Sequence, residues 1–382
     1  EDVYRSKTLG TISAIFGIVF LLPYLQLQVT GLGLIVQLAT GDRANGTISM
    51  IVAFVLVVGF VLWSGIRGVA TASYFKDVIM IVMLVVLLVA VPNAIAGGIG
   101  NVFHRVLSEH PGMLSLHTGS HDVVWFITNM AISIIGVLFL TLPHTWPSIL
   151  SARSQKALRR NYIFLPLYEL ALIVPMIVGF AALLVLPAAT DSNATLLTVA
   201  ARVLPDWVLG LVGVAGIATA MVPAAGLLIG MSSLLAQNVA RTRNPRGRYW
   251  INQATVVGAT ALALVLAILR PGLLANLLLL TYSGLDQLAP AIAAGLLWRS
   301  QRLRWWTVLA GLLAGEAVVI YLTFINTTAA GNVNVGIIGL AVNIVIIGIL
   351  ELAARMGRTP RPANEPMVDL DRSAQTAKEG AI

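Results

Sequence analysis

The chain has 382 residues, of which 58% are hydrophobic and only 10% charged, with 24 basic and 16 acidic side chains and a formal net charge of +8. A soluble domain carries about 25% charged residues, so a soluble enzyme, a nucleic-acid module and a disordered chain are excluded as the main reading. What remains is a polytopic membrane protein, whose basic excess collects in the loops on one side of the bilayer. Cysteine is absent, which removes disulfides, thiolate metal sites and a cysteine nucleophile.

The opening EDVYRSKT is polar and is not a signal peptide; its expected place is a loop of a longer protein. Crossing about 30 Å of hydrocarbon takes about 20 apolar residues in a helix. Ten stretches meet that length, at 9–38, 48–65, 74–96, 123–143, 162–187, 207–238, 251–269, 273–298, 305–325 and 333–354. They exceed strand length, and backbone in lipid must satisfy its own hydrogen bonds, so they are predicted to be helices and the fold all-α. With the N-terminus placed inside, 20 Lys and Arg fall on inner segments and four, Arg43, Arg105, Arg202 and Arg270, on outer loops. This asymmetry predicts cytoplasmic N- and C-termini in a multi-pass cell-membrane protein.

Two outer loops are long. The 97–122 loop holds His104, His110, His117 and His121 at spacings that match no metal-ligand pattern. The 188–206 loop accommodates a short amphipathic helix at 194–203. A transporter-sized membrane domain is expected over 1–356 and a disordered cytoplasmic tail over 357–382, where TPRPANEP is polar and proline-rich. The basic runs 153–160 and RTRNPRGR at 241–248 read as membrane-surface anchors, with no nucleic acid as partner.

No Walker loop, dinucleotide fingerprint or HExxH pair occurs, so neither ATP-driven transport nor cofactor chemistry is expected. Helix breakers fall inside several spans: Pro23, Gly136, Pro175, Pro223, and Gly284 with Pro290. A proline frees a backbone carbonyl that an ion or a solute can use, or it only kinks the helix for packing. Three acids lie within the spans, Glu169, Asp286 and Glu316. Charge in hydrocarbon costs several kcal/mol, so such groups line a pathway, find a partner or carry a proton. Asp286 stands with Tyr282, Ser283 and Gln287 in a polar cluster; Glu169 can snorkel to the cytoplasmic surface, and Glu316 sits beside Gly311 and Gly315. Tyr24 and Gln28 share a face of the first span, and Thr128, Asn129 and Ser133 form a stripe on the fourth. These side chains can hydrogen-bond a solute or bridge helices. His144, between two prolines in LPHTWPS, is either a helix-end turn or a gate.

Several segments together resemble the sodium/solute symporter family. LPYLQLQVTGLG (22–33) is similar to its third core helix, SGIRGVA (64–70) to a short inner loop, and LPHTWPSILSARSQKALRRN (142–161) to a Pro-His segment followed by a basic loop. The likeness continues through VLPDWVLGLVGVAGIATAMVPAAGLL (203–228), YSGLDQLAPAIAAGLLWR (282–299) and NVNVGIIGLAVNIVI (332–346). It implies a leucine-transporter-like inverted-repeat bundle with a site near the bilayer midplane, here lacking its first core helices, and alternating access for a small solute. It also implies a departure. Two hydroxyls that bind sodium in the family are replaced by Val222 and Pro223, and Ser73 stands where an Asp is usual, with Asp77 four residues on.

The reading is therefore a secondary transporter, not an enzyme, of a small polar solute. Tyr24, Gln28, Asn129, Ser133, Tyr282 and Gln287 are its candidate solute contacts. Asp286, Ser73 and Thr219 are candidates for ion coupling, and Pro223 and His144 for gating. Sodium or a proton is the coupling ion, with Asp286 the proton candidate. No metal or cofactor is expected, and the bilayer and the solute are the partners. A symporter-like sensor domain and a channel or uncoupled facilitator are the alternatives.

Overall fold

In a computed structural model of the chain, the residues described are 1, 3–40, 45–116, 121–242, 244–270, 272, 274–297 and 303–357; for 65–67 only the backbone is considered. The expectations for His117 and for the tail beyond Gly357 lie outside them. The described residues form α1 (Lys7–Ala39), α2 (Gly46–Ala96), α3 (Ile99–Glu109), α4 (Val123–Leu138), α5 (Trp146–Leu150), α6 (Gln155–Glu169), α7 (Ile173–Leu183), α8 (Thr195–Val203), α9 (Asp206–Leu234), α10 (Pro245–Leu269), α11 (Leu274–Leu285), α12 (Ala289–Leu297), α13 (Trp305–Phe324) and α14 (Val335–Met356). Ten helical stretches are long and apolar enough to cross a membrane. The amphipathic helix expected at 194–203 is α8, and the 97–122 loop contains α3, which was not foreseen.

Local chemistry sets the ends. Ser6, Asn45, Asp122, Ser154, Asn244 and Asn334 each accept a hydrogen bond from a first-turn N–H of the helix that follows. Gly97 closes α2 in the left-handed region at φ 75°.

Helical backbone runs through the inner loop expected at 64–70, so the second and third spans share one assigned helix, α2. The chain still turns there. A Cβ on Gly68 would stand 2.6 Å from Ser64 Cβ, whereas positions four apart in a straight helix are about 5–6 Å apart. A side chain at 68 would block so tight a bend.

The prolines act unevenly. Pro23 and Pro223 sit inside α1 and α9 without ending them. Neighbouring helices continue to pack on both sides of each, which supports the ladder across one missing bond. Spans are interrupted instead at 139–145, between α4 and α5, at 170–172, a 3-10 turn between α6 and α7, and at 286–288, a 3-10 turn between α11 and α12.

Packing forms one main cluster among α1, the first half of α2, α9, α10 and α11, centred on Leu21, Leu25, Val57, Leu228, Val256 and Leu285. A second joins the second half of α2 with α3, α7, α8 and the start of α9. A third holds the N-terminal residues Tyr4 and Leu9 against Leu288 and the first turns of α13. In lipid, such contacts associate helices through close packing more than through water exclusion. Glycines make it close: Gly311 and Gly315 of α13 meet Asn343 and Gly339 of α14 with no room for a Cβ.

A candidate transport site at two interrupted helices

The α4 break begins with a Schellman stop. Leu140 N–H donates to Val137 O (3.4 Å) and Thr141 N–H to Gly136 O (3.1 Å), with Leu140 at φ 53°. Glycine is the usual residue at that left-handed position, so Leu140 holds strain of roughly 1–3 kcal/mol. Pro143 is the reason the chain turns: it biases Leu142 away from the helical region, and Leu142 takes ψ 104°. Trp146 Nε1 donates to Leu140 O (3.0 Å) and fastens the bend.

The α11 break has a parallel cause. Pro290 has no N–H for the carbonyl of Asp286, four residues earlier. The chain tightens to a 3-10 turn in which Ala289 N–H donates to Asp286 O.

These two breaks meet. Thr141 Oγ1 donates to Asp286 Oδ1 at 2.6 Å, and both residues are fully buried. Asp286 Oδ2 has no hydrogen-bond partner among the described residues. The Tyr282 ring and Asp286 Oδ1 close on Gly136 of α4, where a side chain would collide with both. On α1, Phe20 packs flat on Gly284, and Tyr24, one turn on, meets the His144 ring edge-on at 5.6 Å. His144 lies in turn against Gly230 of α9, and its Nδ1 has no partner among the described residues. Tyr24, Tyr282, Asp286 and His144 thus lie on elements that converge on the two breaks. Thr141 was missed by sequence reasoning, although its place two residues before Pro143 in the fourth span was a usable signal.

The other candidates lie elsewhere. Asn129 Oδ1 accepts from Asn334 Nδ2 (2.8 Å), and Ser133 Oγ donates to Asn129 O (2.9 Å). Gln28 is buried in α1. Gln287 turns away from Asp286: its Nε2 donates to Ser283 O and Gly336 O, both at 3.0 Å, and Asn343 Nδ2 donates to its backbone carbonyl at 2.8 Å. The polar cluster read around Asp286 therefore splits into one face toward α4 and one toward α14. Ser73 and Thr219 each donate a hydroxyl to the carbonyl one turn back, Val69 O and Ala215 O. Val222 is buried, and Pro223 leaves the Thr219 carbonyl without its helical donor.

Acids beyond Asp286 have varied fates. Glu316 is buried, with neither carboxylate oxygen partnered among the described residues. Glu169 is exposed at the end of α6. Asp77 accepts from Tyr168 Oη (3.0 Å) and pairs with Lys76 (2.7 Å), tying α2 to α6. Among the described residues no three His, Asp or Glu gather as a metal would require.

Two cavities of about 380 Å³ each lie at opposite ends of the bundle, and one of them is lined by Thr141 of the buried pair. One opens between the start of α1, the end of α9 and α12, and reaches Thr141, Pro143 and Trp146. The other opens at the far ends of α4, α11 and α13, beneath the α13–α14 connection, and reaches Asn129 and Ser283. Ser283 is three residues, or about 4.5 Å of helix rise, from Asp286.

Ten spans with a buried polar pair where two broken helices meet are the frame of a multi-pass membrane protein with a polar junction inside its helix bundle. Residues 2–315 match the profile of the Sodium:solute symporter family. The chain is 33% identical over 372 residues to the uncharacterized symporter YhjB of Bacillus subtilis, covering 93% of this chain and 76% of that one. It is 29% identical to the uncharacterized symporter YodF of the same organism, covering 100% of this chain and 77% of that one. A monocarboxylate transport permease protein of Rhizobium johnstonii is 28% identical, over 82% of this chain and 63% of the other. The structure of a Na+-coupled sialic acid symporter, in a substrate-bound outward-open state, superposes with a TM-score of 0.69 at 15% identity, over 90% of this chain and 75% of that one. The chain belongs to the sodium:solute symporter family, with a leucine-transporter-like fold, and it is a transporter, not an enzyme.

Proposed function

We propose that the chain moves a small polar solute through the cell membrane by alternating access, with the Thr141–Asp286 junction as the point where the two access routes meet. The observation that supports this is the buried Thr141–Asp286 pair at two helix breaks, with one cavity reaching Thr141 and a second opening at the other end of the bundle. Broken helices supply unpaired backbone groups there without exposing them to lipid. Residues 1–356 form the transporter domain, and both termini lie in the cytoplasm with the basic segments 153–160 and 241–248. Tyr24, Tyr282, Asn129 and Ser133 contact the solute along the route, and His144 and Pro223 serve the movement of α9 against the α4 break.

Coupling runs through Asp286 in this reading. A carboxyl group buried with one hydroxyl donor and no cation paired with it among the described residues can be carried neutral by binding a proton and can deliver that proton when it meets water. Sodium is the second reading. It is favoured by the family and by the oxygens of Thr219, whose carbonyl Pro223 leaves unpaired and whose hydroxyl keeps a lone pair. Ser73 would join such a route only as an accessory oxygen on α2.

Reconstituted protein, given a panel of monocarboxylates, amino acids and sugars, tests this with pH and sodium gradients imposed separately. Monocarboxylates belong in the panel because one relative bears that name. A pH gradient should drive accumulation, and Asp286→Asn should abolish that dependence while solute exchange persists. Unchanged pH-driven uptake in the variant overturns the proton route, and sodium-driven uptake lost in Thr219→Val would put sodium in its place.

A further inference from the structure

The cavity beneath the α13–α14 connection has a chemistry of its own. Its polar lining includes Asn129, Asn276, Ser283, Thr323, Thr327 and the pair Asn332 and Asn334, and Trp125 supplies an aromatic wall. No Lys, Arg, Asp or Glu belongs to the described lining. At about 380 Å³ it falls within the ~300–1,000 Å³ range of small-molecule sites.

Asn334 organises it. Its backbone N–H donates to Thr128 Oγ1 (3.0 Å) and its Nδ2 to Asn129 Oδ1 (2.8 Å), while its Oδ1 accepts from Ser283 Oγ (3.1 Å) and from Gly336 N–H (2.7 Å). One side chain thus ties α4, α11 and α14 into a fixed wall. Other polar groups in that wall are left for a guest. Thr323 Oγ1 is a buried oxygen with no partner among the described residues, and Asn276 is exposed on α11.

A negative charge is tied to this lining. Asp122 caps α4 and is bonded by the Asn332 side chain; the Trp125 N–H, first, and then Asn332 hold its carboxyl below the usual range, so it is ionised at neutral pH. An anion at this cavity would give up water with no cation to replace it and a carboxylate at the rim. A neutral solute would find amides and hydroxyls that both donate and accept, and an indole face for its C–H surface.

We propose that this cavity is a first-contact binding site for an uncharged, hydroxyl-rich solute, roofed by the α13–α14 connection and held in shape by Asn334. The proposal rests on the transporter reading above and names a solute class for its outward-most step, with carboxylates excluded.

The test uses the full chain in nanodiscs and labelled glucose, mannitol and myo-inositol as probes, with lactate as competitor. At least one polyol should bind saturably and resist displacement by lactate. The double variant Asn276→Leu with Thr323→Val should weaken that binding by at least tenfold, since it removes two lining groups that hold no other element in place. Trp125→Phe should remove a polyol-dependent change in tryptophan fluorescence. The site is overturned if none of the three polyols binds, if lactate displaces them as well as unlabelled polyol does, or if the variants bind as the wild type does. Gradient-driven uptake in liposomes separates the two readings: uptake of lactate with no polyol binding sinks this site alone, and absence of gradient-driven uptake for every panel solute sinks the transporter reading.

Discussion

At the scale of single residues, burial of polar groups makes the sharpest demands. Thr141 gives the Asp286 carboxyl its one hydrogen bond among the described residues, so Thr141→Val should destabilise the protein by about 1–3 kcal/mol, the cost of an unsatisfied buried acceptor. Thermal unfolding in detergent would show it, and Thr141→Ser should restore the loss. Glu316 has the opposite expectation. Neither of its oxygens is partnered among the described residues, so Glu316→Met should be neutral or stabilising in the same assay. Asp122 supplies a pH control. Its carboxyl is held low chiefly by the Trp125 N–H, so the cap it makes persists above the ordinary carboxylate range and is lost only as pH falls below it. Asp122→Asn should therefore leave the shape of any uptake profile between pH 5 and 8 unchanged, whereas Asp286→Asn should alter it.

At the scale of elements, the joints between helices are the informative places. At one end of the α13–α14 pair, Glu351 takes Arg304 by both carboxylate oxygens, from its backbone N–H and from Nη1, each at 2.7 Å. Thr307 Oγ1 adds a third donor at 2.8 Å, and both charged side chains are buried. The carboxylate so caps α13 and holds α14 to it. Glu351→Ala should cost about 3–5 kcal/mol, because it takes the carboxylate away from a buried guanidinium, while replacing both partners with apolar residues should cost far less. A double-mutant cycle on unfolding midpoints separates the two. The α4 stop carries strain at Leu140, and Leu140→Gly should relieve roughly 1 kcal/mol of it. A loss of transport in that variant, with stability gained, would show that the strain helps the break move. Sequence reasoning counted Pro290 among the helix breakers, met Pro143 only as a neighbour of His144, and singled out Pro223 for gating. A proline opens a helix only where flanking packing does not hold it, and that is not visible one position at a time.

At the scale of the whole molecule, the alternation of basic and neutral connections predicts which segments share a side. The absence of cysteine gives a clean background for labelling. Single cysteines at Arg153 and Arg248 should react with a membrane-impermeant thiol reagent from one side, and one at Asn193 from the other. Labelling of 153 and 248 from opposite sides would overturn the ten-span arrangement. Glycine packing sets the second expectation at this scale. Gly315→Leu drives a side chain into Gln287 and Asn343, and should separate α13 and α14 from the core and reduce folded yield several-fold.

Composition and apolar length alone determined that the chain spans a membrane as helices, because hydrocarbon admits no other way to satisfy the backbone of such runs. The order of the spans, the basic asymmetry and the likeness to a symporter family were legible for the same reason: they are local or additive properties of residues along the chain. The site was legible only in part. Asp286 stood out because charge is rare in an apolar span, but its partner Thr141 is an ordinary residue 145 positions away. That Gln287, its neighbour, faces α14 instead follows from the twist of a 3-10 turn and from the glycines of α13 and α14. Tertiary structure decided those matters, since which side of a helix meets which neighbour depends on packing at every contact together and is written at no single position.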